Sequence, residues 1–83
     1  MPWLPEEHMA DVHIIRQDYA RARNAYEANP TPETKAQFDE QYERRGRAMR
    51  SLHRDDSYGV RVLAAMFRCS KQVVRDILAE ETE

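Results

Sequence analysis

The chain has 83 residues, 41% of them hydrophobic and 34% charged, with a net charge of −2, which fits one small domain and excludes a disordered chain or a membrane protein. No apolar run approaches the ~20 residues needed to span a bilayer. The opening residues, Met1 to Glu7, lack the basic and apolar regions of a secretory signal, and Cys69, as the only cysteine, cannot form an internal disulfide, so a reducing cytoplasm is the expected location.

A first helix is expected from about Pro5 to Ala28. Proline suits the first helical position, and Glu6 and Glu7 complement the helix dipole there. Val12, Ile15, Tyr19, Ala22 and Tyr26 recur at spacings of three and four and share one face. Asn29-Pro30 stops this helix. A second helix starts with Thr31 as N-cap, Pro32 in the first helical position and Glu33 in the first turn. It is expected to end at about Leu52 or His53, with Phe38, Tyr42, Arg45, Met49 and Leu52 on its apolar stripe. The connection between the two is only about three residues long, so they should fold back as an antiparallel hairpin over residues 5–53. Gly46 costs on the order of 1 kcal/mol relative to Ala in a helix; either it allows a close helix approach or it is simply tolerated.

Arg54-Asp55-Asp56-Ser57 reads as a polar loop. A third helix is expected over about Val60 to Phe67, with Tyr58 as a hydrophobic staple and Gly59 as N-cap. A fourth is expected over about Lys71 to Ala79. There is no strand signal, so the expected fold is all-α, a helical hairpin followed by two short helices.

Charge is unevenly spread. Residues 1–43 carry four basic and nine acidic side chains. Residues 44–75 carry nine basic side chains, Arg44, Arg45, Arg47, Arg50, Arg54, Arg61, Arg68, Lys71 and Arg75, against Asp55 and Asp56 alone. The tail from Asp76 onward is acidic. A basic middle between acidic flanks is the footprint of a face that meets phosphate. The plainer alternative is a solvated, salt-bridged helix surface.

Residues 58–80 carry the functional signal. Val60, Leu63, Ala64 and Phe67 give one short helix an inward face; Val74, Ile77 and Leu78 do the same for the next. Ala64 is small where the second helix would cross the first. Ser70 can cap the second helix through its hydroxyl. This pattern, with a break at Arg68-Cys69-Ser70, resembles the helix-turn-helix superfamily. The resemblance covers about 21 of the 83 residues and departs at one point: Arg68 stands where the family's turn usually has a glycine able to take a left-handed backbone. Cys69 is expected to pack, not to react.

The resemblance implies double-stranded DNA as partner. The second short helix would lie in the major groove with Ser70, Lys71, Gln72 and Arg75 facing the bases and Asp76 on the same outward face. Arg61 and Arg68 flank that helix. Arg50 and Arg54, on the C-terminal half of the second long helix, are expected to reach phosphates, with Arg47 beside them. For Arg44, pairing with the acidic N-terminal helix is the better expectation. The implied function is sequence-specific DNA binding by a small transcriptional regulator, or by an accessory protein of phage type in recombination or packaging. Helix-turn-helix proteins commonly dimerise, and a homodimer through the hairpin is expected. The rival is a helical protein-interaction module without DNA binding, for which Ile14 lies outside the main stripe.

Other chemistry is set aside. His8 and His13 are five apart, off the one-turn spacing of two helical metal ligands, and no carboxylate or cysteine completes a set. Two glycines, Gly46 and Gly59, make no phosphate loop. Small all-helical chorismate mutases turn arginines inward onto a dianionic substrate, whereas only Arg45 falls on an apolar stripe here. No cofactor and no enzymatic activity are expected.

Overall fold

The computed structural model describes residues 6–80. They form an all-α fold of four helices, α1 Glu6–Ala28, α2 Pro32–Asp56, α3 Val60–Phe67 and α4 Lys71–Ala79, with no strand among the described residues. The expected first helical residue, Pro5, lies outside them. The chain divides into two compact units, one ending at Arg45 and the other beginning at Gly46, both of them within α2.

In the first unit the contacts between α1 and α2 run in opposite chain directions. Tyr26 stacks on Phe38 with ring centroids 5.8 Å apart, Tyr19 tilts against the same ring at 5.5 Å, and Arg44 reaches back to Asp18 at 2.6 Å. Val12 and Ala22 are buried. Pairs of this kind add roughly 0.5–1.5 kcal/mol beyond the area they bury. The start of α2 is fixed by a reciprocal pair of caps. Thr34 N–H donates to Thr31 Oγ1 at 3.2 Å, and Thr31 N–H donates to Thr34 Oγ1 at 2.9 Å. Thr34 takes the place that Glu or Gln has in a capping box.

Arg45 is the buried cation of this unit, 6% exposed. Its guanidinium lies 3.8 Å from the Tyr19 ring centroid and 5.4 Å from that of Tyr42. Its Nε is buried without a hydrogen-bond partner, so the aromatic faces provide the compensation that a carboxylate would otherwise provide.

The second helix runs three to four residues further than the sequence implied, to Asp56. A run of Arg-Asp-Asp reads as loop by composition, but its side chains pair locally. Ser51 Oγ donates to Asp55 at 3.2 Å, and Arg54 Nε donates to the same carboxylate at 3.1 Å. The Arg54 hydrogen bond holds the Asp55 carboxyl below its ordinary range. The helix stops where Ser57 takes φ 60°. Tyr58 N–H then donates to Leu52 O at 3.3 Å, and His53 Nδ1 donates to Tyr58 O at 2.9 Å.

The second unit packs α3 and α4 around Met49, Leu63, Ala64, Met66, Phe67, Val74 and Ile77, all buried. Gly46 is buried too. A Cβ built there would sit 3.3 Å from Arg50 Nη1 and 3.5 Å from Ile77 Cγ2. Of the two readings of Gly46, close approach is therefore the one found: Ile77 of α4 comes down onto the bare backbone of α2.

Candidate nucleic-acid interface

Helix α3 begins at Gly59, whose extended backbone (φ −80°, ψ 174°) makes it the N-cap without a capping side chain. Leu63, Ala64, Met66 and Phe67 face inward, and Arg61, Ala65 and Arg68 are exposed. Spaced by four and three, those last residues form one outward strip. The helix ends with Arg68 in the left-handed region, φ 52° and ψ 51°. The N–H groups of Arg68 and Cys69 both donate to Ala64 O, the latter at 3.1 Å. That pattern closes a helix end as a glycine would, here with a side chain that disfavours the conformation.

Three residues after Phe67 the next helix starts. Ser70 is its N-cap, extended at φ −76° and ψ 156°, and its Oγ accepts from Val73 N–H at 3.1 Å. The cap uses Oγ as acceptor and leaves the hydroxyl proton to donate outward. In α4 Val74 and Ile77 are buried, Val73 and Leu78 half-buried, and Lys71, Gln72, Arg75 and Asp76 exposed. The exposed face thus holds three long donors in its first two turns. Gln72 Nε2 donates to Asp76 Oδ1 at 2.8 Å.

The nine basic residues of the middle segment fall into two groups. In the first, the side chain has a partner within the chain. Arg44 pairs with Asp18 and Arg45 is buried under Tyr19. Arg54, expected to reach phosphate, pairs with its neighbour Asp55 while its side chain stays 62% exposed. Arg50, also expected to reach phosphate, has partners within the chain: its side chain is only 19% exposed, with Nη1 3.6 Å from the Glu80 carboxylate and 3.5 Å from Ile77 O. Ile77 O belongs to the last turn of α4, where carbonyls lack helical partners and a cation is favoured. Arg50 thus holds the C-terminal end of α4.

The second group is Arg47, Arg61, Arg68, Lys71 and Arg75. All five are exposed, and none has an ion pair or side-chain hydrogen bond among the described residues. Four of them lie on α3, α4 and the turn between. Arg47, expected beside Arg50, is exposed on α2 one turn earlier. Arg50 is four residues beyond buried Gly46 and so shares its face, whereas Arg47 is off that line.

No group of three His, Cys, Asp or Glu residues is placed to hold a metal among the described residues. No helix among them is long and apolar enough to cross a membrane. No family model matches this chain, and neither does any curated protein or any solved structure.

Proposed function

We propose that this chain binds double-stranded DNA sequence-selectively through a helix-turn-helix formed by α3 and α4, as a small transcriptional regulator or accessory DNA-binding protein of the cytoplasm. Helix α4 enters the major groove, with Gln72 and Arg75 reaching base edges and Lys71 and Ser70 at the leading end. Arg61, Arg68 and Arg47 contact phosphates. The observation that carries this reading is the sorting of cations. Arg44, Arg45, Arg50 and Arg54 are engaged within the chain, whereas Arg61, Arg68, Lys71 and Arg75 stand exposed and unpaired around one tight turn. An ordinary salt-bridged helix surface would pair these as it pairs Lys35 with Asp39.

Titration of the full chain with a duplex at rising salt tests this. About three to four phosphate contacts per subunit give log K falling with log salt at a slope of about −3. Binding that is flat from low to moderate salt, or affinity for an acidic protein but not for a duplex, overturns the reading in favour of a protein-interaction module.

A homodimer through the first unit accompanies the proposal. The large apolar side chains left exposed among the described residues, Met9 and Ile14, both lie on α1.

A further inference from the structure

The hydrogen bond between Gln72 and Asp76 makes α4 more than a row of donors. A glutamine amide offers one acceptor oxygen and two N–H donors, and unrestrained it presents either edge. Adenine in the major groove offers the N7 acceptor beside the N6 donor, so a bidentate contact needs the amide in one orientation only. An ionised aspartate can only accept. At 2.8 Å from Gln72 Nε2, Asp76 takes one N–H and leaves Oε1 and the second N–H for a base.

Asp76 has little else to do there. It is exposed, and among the described residues its side chain makes no ion pair with Lys71 or Arg75 on the same helix. It lies beyond the first turn, where the helix dipole would favour a carboxylate. On a face that meets phosphate, its charge lowers affinity. We infer that Asp76 is a positioning residue that fixes the Gln72 amide for adenine, making the pair a specificity determinant at one base pair. This rests on α4 being the reading helix.

The test begins by enriching binders for the full chain from a duplex pool randomised at its centre. Affinity is then measured for the enriched duplex, for copies substituted one base pair at a time, and for an unrelated duplex. The parent should prefer adenine at one position by about tenfold, and Gln72→Ala should abolish that preference. Asp76→Ala should reduce it at least threefold at the same position while raising affinity for the unrelated duplex. Asp76→Asn removes the charge equally but keeps an acceptor, so it should retain part of the preference. The Gln72→Ala/Asp76→Ala double variant should match Gln72→Ala. If Asp76→Ala keeps the parent's preference, or changes selectivity only at a neighbouring base pair, the positioning role is overturned while DNA binding by α4 stands. If no duplex is enriched, both fall.

Discussion

Among single residues, Arg68 is where the proposed binding meets stability. It is a left-handed, non-glycine residue that ends α3, and its side chain is an exposed cation without an internal partner. Arg68→Gly should relieve the backbone and stabilise the fold by about 0.5–1 kcal/mol. It should also remove one phosphate contact, weakening binding to all duplexes and making the salt slope shallower by about 0.9. Thermal unfolding and a salt titration of the same variant check both signs. A variant that is less stable, or that binds with the parent's slope, contradicts the assignment. The left-handed backbone of Arg68 follows from the resemblance, which usually has a glycine at that position of the turn. Ser70 is legible as a cap because a hydroxyl residue stands just before the second apolar periodicity. The pairing of Arg50 is not, because it depends on which end of α4, some thirty residues away, comes to rest beside it.

Among the elements, α2 combines a stripe set by spacing with an end set by side-chain pairing. Its stripe of Phe38, Tyr42, Arg45, Met49 and Leu52 follows from spacing alone, and burial agrees at Arg45 and Met49. Its C-terminal end does not follow, because Ser51, Arg54 and Asp55 satisfy one another inside a helix that composition would have ended. Within the second unit α2 carries Arg50, paired at the end of α4, and the exposed Arg47, which the proposed function assigns to phosphate. Arg50→Ala should lower stability by about 0.5–1 kcal/mol, by removing a cation from the α4 C-terminus, and should leave the salt slope unchanged. Arg47→Ala should leave stability unchanged and weaken binding similarly on all sequences. Denaturant unfolding and salt titrations on the two variants decide this. If Arg50→Ala makes the slope shallower while Arg47→Ala does not, the sorting of these two side chains is wrong.

At the scale of the whole molecule, charge and apolar surface are divided along the chain. The first 43 residues are acidic on balance and the segment from 44 to 75 is basic. The acidic unit carries the exposed Met9 and Ile14 and is where a second copy is placed in the proposal. A chain of this size buries a limited core alone. Sedimentation at tens of micromolar should therefore give a dimer that shifts toward monomer in Ile14→Glu; a parent that is monomeric both free and on DNA removes that partner. The four helices were legible because each has apolar residues at threes and fours, except for the last turn of α2, which has none. The division of the chain at Arg45 and Gly46 was not, since a single uninterrupted helix passes through it.

In the proposed function α4 and the turn before it meet duplex DNA. Backbone amide chemical-shift mapping of the full chain, titrated with a duplex at low salt, reads this residue by residue. The largest perturbations are expected at Arg61 and from Arg68 to Asp76, with smaller ones at Arg47 and none propagating along Tyr19 to Phe38. Perturbations confined to α1 and the first half of α2, or absent at saturating duplex, would contradict the proposal.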